Sequence, residues 1–227
     1  MTKEEKLQIE YQRLYKMYET QNELKEGYTY VFGIDEAGRG PLCGPVAAAC
    51  CLLNGDVILP GLNDSKKLSE KKREELYEQI IENCIAYGVG FAGPERIDAI
   101  NILNATYEAM NDAFEACLIR LQEKGIDFST IKDSGLVLID GNRKVPQLRA
   151  IQKTVVGGDA KCPSISAASI IAKVTRDRLL IEYDRQYPEY GLAKHKGYGT
   201  AEHIVALKTY GPAPIHRMSF IRKFIDA

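Results

Sequence analysis

The chain has 227 residues, 45% of them apolar and 27% charged, with a formal net charge of -1. That length suits one large domain, or one domain with small attachments, and that balance excludes a chain disordered throughout. The longest apolar run, Val46 to Leu53, falls far short of the roughly 20 residues that a membrane helix requires.

The opening Met1-Thr2-Lys3-Glu4-Glu5-Lys6 carries no apolar run of the kind a secretory signal needs, so a cytoplasmic protein is expected. Six cysteines (Cys43, Cys50, Cys51, Cys84, Cys117 and Cys162) form no Cys-x-x-Cys pair and have no histidine at zinc-finger spacing. They read as buried free thiols in a reducing compartment. Charge is unevenly spread. Residues 1–140 hold 15 Lys and Arg against 24 Asp and Glu, whereas residues 141–227 hold 15 against 7. A basic C-terminal part suits a polyanion partner, unless folding interleaves the two halves.

Residues 3–26 have helical character, with Leu7, Tyr11, Leu14, Tyr15, Met17 and Tyr18 as a partial apolar stripe, and Gly27 ends the helix. Tyr28 to Ile34 predicts a strand, and Val46 to Leu53 a second one buried on both faces. Between them Gly38, Gly40, Pro41, Gly44 and Pro45 make an irregular connection. Ser69 is a plausible N-cap for a helix to Asn83, although Lys72 stands where a capping-box acid would. Ile85 to Phe91 predicts a third strand and Asn104 to Lys124 a long helix ended by Gly125. Leu136 to Ile139 and Ile151 to Val156 predict two further strands. Ser164 to Arg185 predicts a long helix stopped by Pro188, Thr200 to Tyr210 a shorter one, and Ile215 to Ala227 a tail. This order favours a mixed sheet with helices on both faces.

Carboxylates stand beside three of these strands. Asp35 and Glu36 follow Val31-Phe32-Gly33-Ile34, Asp140 follows Leu136 to Ile139, and Asp159 follows Val155-Val156-Gly157-Gly158. Taken singly, each acid is an ordinary solvated turn residue. Taken together, they would repel one another unless a cation sat among them. Oxygen-only ligands select hard ions such as Mg²⁺ or Mn²⁺.

Gly38-Arg39-Gly40 follows the first two acids and lets the backbone approach a ligand. Gly44 lies one place too far for a dinucleotide fingerprint. Arg39 reads either as a phosphate contact or as a surface turn residue. Ser164 and Ser166 open the long helix just after Asp159, where N–H groups and hydroxyls suit a phosphate, although N-capping alone accounts for Ser164. On that helix Lys173, Arg176 and Arg178 read by default as a solvated face. Lys194-His195-Lys196-Gly197-Tyr198-Gly199-Thr200 mixes cations, glycines and an aromatic in a way that suits a nucleic-acid backbone. Asn63-Asp64-Ser65-Lys66-Lys67 is a polar loop ahead of a helix.

In this order, Gly33 to Pro41, Gly44-Pro45-Val46, Asp64 to Leu68, Ile139-Asp140-Gly141, Gly158-Asp159, Ser166 to Val174 and Gly197 to Thr200 resemble ribonuclease HII. The resemblance covers about residues 29–220. The sister type, ribonuclease HIII, carries a larger N-terminal substrate-binding domain, so the short extension here favours HII. The resemblance implies an α/β fold with an RNase H-like mixed five-stranded sheet flanked by helices and a helical C-terminal substrate-binding part. It implies an N-terminal helical extension (residues 1–28), a catalytic core (29–185) and a C-terminal segment (186–227).

The resemblance further implies that Asp35, Glu36, Asp140 and Asp159 form a catalytic set holding two Mg²⁺ or Mn²⁺ ions. Hydrolysis of the RNA strand of RNA–DNA hybrids is implied, with incision 5′ of single ribonucleotides in duplex DNA to leave 3′-hydroxyl and 5′-phosphate ends. Roles in ribonucleotide and RNA-primer removal follow from that. Gly38, Arg39 and Gly40 would read the ribose 2′-hydroxyl, Tyr198 would sit against the sugar at the RNA–DNA junction, and Lys66, Ser164 and Ser166 would contact substrate. A monomer is expected. Two other readings remain: a nuclease of this fold with another substrate, and a non-catalytic hybrid-binding module. The Gly-Arg-Gly loop with Tyr198 argues against the first, and the four acids against the second.

Overall fold

A computed structural model describes residues 2–55, 57–127, 131 and 134–225. Helix α1 (Lys3–Lys25) starts from a reciprocal cap in which the Glu5 N–H donates to Thr2 Oγ1 and the Thr2 N–H donates to Glu5 Oε2. Strands β1 (Tyr30–Ala37) and β2 (Val46–Leu53) follow, then a 3-10 turn (Ser65–Lys67) and helix α2 (Glu70–Asn83). Ser69 caps α2 by accepting the Lys72 N–H at 3.3 Å. Strand β3 (Cys84–Ala92) leads into α3 (Pro94–Glu123), and β4 (Gly135–Asp140) and β5 (Ile151–Val155) precede a 3-10 turn (Gly158–Ala160) and α4 (Pro163–Gln186). The short α5 (Leu192–His195), α6 (Ala201–Tyr210) and α7 (Met218–Ile225) complete the order.

The strands form one five-stranded sheet in the order β3-β2-β1-β4-β5. β1 pairs antiparallel with β2 and parallel with β4, so the sheet is mixed as expected. Strand alternation splits the core into two layers. Phe32, Ile34, Ala48, Cys50, Val137 and Ile139 face α3, with Phe114 edge-on to Phe32 at 5.4 Å. Ala49, Cys51 and Leu53 face the other way, onto α2, α4 and α1. Adjacent Cys50 and Cys51 thus point to opposite faces, and all six thiols are free.

α4 lies directly on β1 at Gly33, where any Cβ would stand 2.1 Å from the Ser164 carbonyl carbon. We expect Gly33→Ala to cost about 3 kcal/mol or more, read as a lower urea midpoint at unchanged slope.

Three boundaries differ from the sequence reading. β1 runs through Asp35 and Glu36 instead of ending before them, because they stay paired with Ala49 and Ala48 of β2. α3 begins at Pro94, ten residues early, and is kinked at Asn101, whose φ is +67°. The Asn101 side chain caps the second half by accepting the N–H groups of Leu103 and Asn104, which is the start the periodicity shows. The tail holds α7, whose first N–H groups, those of Met218 and Ser219, donate to Asp98 of α3. The expected N-terminal extension packs into the core. Leu14 and Met17 are buried, the Tyr18 hydroxyl donates to the Val57 carbonyl, and Arg13 donates to that of Leu62.

Candidate active site

Parallel pairing of β1 with β4 runs from Tyr30 beside Gly135 to Ile34 beside Ile139. The next residues along are Asp35 and Asp140. By strand alternation both project to the α4 side of the sheet, at the carboxyl ends where open α/β sheets build ligand sites. Asp159 arrives from the turn after β5, held close because the Gly158 N–H donates to Asp140 Oδ1 at 2.7 Å. One carboxylate oxygen from each of Asp35, Asp140 and Asp159 lies within 4.8 Å of the others. Asp35 is only 3% exposed and Asp159 7%, so their charges are poorly hydrated.

Burial, with the neighbouring Glu36 and Asp140, holds the Asp35 carboxyl well above the ordinary aspartate range, against hydrogen bonds from Ser169 and the Glu36 N–H. Burial, Asp140 and Asp64 raise that of Asp159, while Lys66 pulls it down. Burial opposes the Lys66 ammonium, yet Asp35, Asp159, Asp64 and Asp140 together raise its pKa. The Ser169 hydroxyl also shares a 2.9 Å hydrogen bond with Ser65, which ties the Lys66 loop to α4 behind Asp35. Three crowded, half-desolvated carboxylates are an unfavourable arrangement by themselves. As an all-oxygen donor set they fit a hard divalent ion.

Glu36 does not share this pocket. As the next residue on β1 it projects to the α3 side, where its carboxylate accepts from Arg39 Nη1 at 3.0 Å. There it lines a cleft of about 250 Å³ with Arg39, Tyr107, Asp140, Asn142 and Arg143. Asp140 therefore borders both the acid pocket and the cleft.

Beside Glu36, the Gly38-Arg39-Gly40 loop is held from behind by two buried arginines. Arg217 donates to the carbonyls of Gly38, Arg39, Pro41 and Gly44 at 2.6–3.0 Å. Arg176 donates to those of Cys43, Pro45 and Lys196. Gly38 sits at φ +90°, and a Cβ there would stand 1.9 Å from Arg176 Nε, so only glycine fits. The half-exposed Tyr198 ring lies beside Gly40, its Cε1 3.8 Å from where a Gly40 Cβ would be, with Lys173 Nζ 6.0 Å from the ring centroid.

Several expectations need correction. Ser164 and Ser166 are fully buried and do not lie on the open surface that a phosphate contact would use. The Ser164 N–H and hydroxyl both donate to Gln21 Oε1 of α1, which takes the place expected for a phosphate. Arg176 is 1% exposed and not part of a solvated face. Lys173 is bound to Asp177 at 2.7 Å, and of that trio only Arg178 lies at the surface, against Glu74 and Glu78. Arg217 is a site-building residue that sequence reasoning passed over, and Asp64, Ser169 and Arg176 are site-building residues to which it gave no such role. Only Asp64 carried a local signal, as an acid in a polar loop.

A carboxylate pocket at this place on a mixed sheet suits an enzyme that works through a divalent metal. Comparison with known proteins narrows that class. The family model for ribonuclease HII matches residues 32–223. Ribonuclease HII of Desulfitobacterium hafniense is 53% identical over 194 residues, covering 86% of this chain and 69% of that protein. The crystal structure of ribonuclease H2 from Pyrococcus horikoshii OT3 superposes with a TM-score of 0.66 at 28% identity, over 87% of this chain and 98% of that one. Bst-RNase HIII, solved in complex with Mn²⁺, shares the fold with a TM-score of 0.65 at 16% identity, over 88% of this chain and 69% of that one. The chain belongs to the ribonuclease HII family and is a metal-dependent endonuclease of the ribonuclease H type.

Proposed function

We propose that this enzyme hydrolyses the RNA strand of RNA–DNA hybrids and incises 5′ of single ribonucleotides embedded in duplex DNA. The observation that carries the reading is the convergence within 4.8 Å of Asp35 from within β1, Asp140 from the end of β4 and Asp159 from the turn after β5. These three, with Glu36 across the strand, would hold two Mg²⁺ or Mn²⁺ ions. Bound there, such ions supply an activated water and charge neutralisation at the phosphate and the departing 3′-oxygen. The products are then a 3′-hydroxyl and a 5′-phosphate.

The chain's own residues do the positioning. With the Gly38 and Arg39 carbonyls fixed inward on Arg217, the glycine loop presents a rigid backbone to a ribose 2′-hydroxyl. Tyr198, beside Gly40, sets an aromatic surface against the adjoining sugar. Lys66, exposed and drawn to the acids, would meet a substrate phosphate. Arg39 and Arg143 line the cleft as further cations. An all-DNA substrate gives the glycine loop and Tyr198 nothing to select, which is why a ribonucleotide-dependent reading is preferred to a general nuclease.

The test is cleavage of a duplex containing one ribonucleotide, with and without Mg²⁺ or Mn²⁺, beside an all-DNA control. Metal-dependent incision 5′ of the ribonucleotide with an intact control is expected, and cutting of the control overturns the reading. In the same assay Tyr198→Ala should lose roughly 10-fold or more at an isolated ribonucleotide, about 1.4 kcal/mol, and less on a long hybrid. Equal losses on both would remove Tyr198 from junction recognition.

A further inference from the structure

Away from the acid pocket, Cys43, His203 and His216 meet inside the apolar cluster that joins Leu42 and Leu180 to the C-terminal segment. Their burial is nearly complete, at 0%, 0% and 3% exposure. Cys43 Sγ and one nitrogen of each ring lie within 4.8 Å of one another. The two Nε2 atoms are 3.2 Å apart. Two nitrogens at 2.0–2.1 Å from one tetrahedral ion stand about 3.3 Å apart.

The outer ring nitrogens have the support that metal-bound histidines use. His203 Nδ1 is 3.0 Å from the Tyr198 carbonyl oxygen, and His216 Nδ1 is 3.2 Å from that of Ala213. The backbone fixes the three donors before any ion arrives. Cys43 bridges to His216 as an isolated antiparallel pair, the Gly44 N–H donates to Ile215 O, and the Arg217 N–H donates to Leu42 O. The His203 N–H is held by the Thr200 cap of α6.

We propose that Cys43, His203 and His216 form a three-ligand zinc site, separate in place and in chemistry from the acid pocket. One sulfur and two imidazole nitrogens are a borderline-soft donor set that selects Zn²⁺ over Mg²⁺. The oxygen-only pocket selects the reverse, so one chain sorts two kinds of ion. Among the described residues no fourth Cys, His, Asp or Glu joins the group. Three protein ligands leave one coordination position to a donor from outside the chain.

Proton bookkeeping closes. Without metal, the Ala213 N–H donates to His216 Nδ1 at 3.0 Å, which leaves the His216 proton on Nε2, facing His203 Nε2. His203 keeps its own proton on Nδ1, donated to Tyr198. Binding shifts the His216 proton to Nδ1, so the Ala213 N–H gives up that acceptor while the Ala213 carbonyl takes the proton, and one proton leaves the Cys43 thiol for solvent. Burial lowers the pKa of both imidazoles, that of His216 to about 4. Burial pushes the Cys43 thiol up to about 12, while nearby Arg176 and Arg217 favour its thiolate. The ion adds positive charge beside those guanidiniums, so its affinity should fall below that of four-ligand zinc sites.

The site would fasten the loop after Gly40 to the segment that carries Tyr198. Its test is to refold the full chain in Mg²⁺-free buffer with Co²⁺ or Zn²⁺. A thiolate-to-cobalt charge-transfer band saturating at about one equivalent, and about one zinc retained through gel filtration, are expected. Cys43→Ala should lose both, and Asp140→Asn, which damages the acid pocket and no ligand of this site, should keep both. Absence of the band in the unmodified chain overturns the proposal without reference to any variant. Equal zinc retention by Cys43→Ala overturns it as well, because the ion then lies elsewhere.

Discussion

Replacing Asp35 with asparagine should lower Mg²⁺-dependent cleavage at least 10³-fold, roughly 4 kcal/mol of transition-state stabilisation, while affinity for a hybrid duplex stays within about threefold. Asparagine keeps the shape and one acceptor oxygen but removes the charge that an ion needs in the most buried of the three positions. Duplex affinity comes mainly from backbone contacts elsewhere on the surface, which this change leaves alone. The same substitution should raise the melting temperature of the metal-free protein. Asp35 is held above its ordinary value of 3.8 by burial, Glu36 and Asp140. A raised acid costs nothing while protonated in both folded and unfolded chains. Its cost appears as pH climbs past the unfolded value and is complete above the folded one. The advantage of the variant should therefore be absent at the acid end and grow as pH rises. Each kcal/mol relieved is worth about 2–4 °C. Added Mg²⁺ should reverse the ranking by stabilising only the unmodified protein. Thermal scans across pH in EDTA and in Mg²⁺ check both statements. A variant that melts below the unmodified protein in EDTA near neutral pH would mean the carboxylates are not crowded.

Arg217→Met should be the most damaging change outside the acid pocket. The guanidinium is fully buried, and its N–H groups serve four carbonyls of the glycine loop and its flank. Methionine fills much of the volume and serves none of them. At ~1 kcal/mol net per hydrogen bond the loss is about 4 kcal/mol, or roughly 8–16 °C in melting temperature. Burial and Arg176 lower the Arg217 pKa to about 9, so the native cation itself carries a desolvation cost. Removing it offsets a part of the loss. Arg217→Lys, with a single nitrogen, should fall between the two. Incision at a lone ribonucleotide should decline more than stability alone explains, because the loop loses its backing. A melting point within about 2 °C of the unmodified protein would show that the loop does not depend on this residue.

Much of the sheet is legible in the chain, because apolar runs flanked by glycine report burial and alternation directly. Asp35 and Glu36 are legible as acids beside a strand, but not as residues within it. A parity argument that places them on opposite faces needs the true strand end. What local pattern misses is set by distant partners. Arg176 resembles any helix-surface arginine until its acceptor, the Pro45 carbonyl 131 residues away, is in view. Ser164 has the composition of an anion site, and a glutamine 143 residues earlier occupies it. Cys43 lies far from any zinc-finger spacing, since its companions arrive only when the C-terminal segment folds back.

Gln21 reaching Ser164 also sets an order of events during synthesis. α1 is made before α4, and the Ser164 groups that meet Gln21 come 143 positions later. At ordinary translation speed that is a wait of roughly 7–30 s. Throughout it α1 can rest only on the earlier part of its core, with Arg13 on Leu62 and Tyr18 on Val57, so its clasp on α4 is the last of its contacts to close.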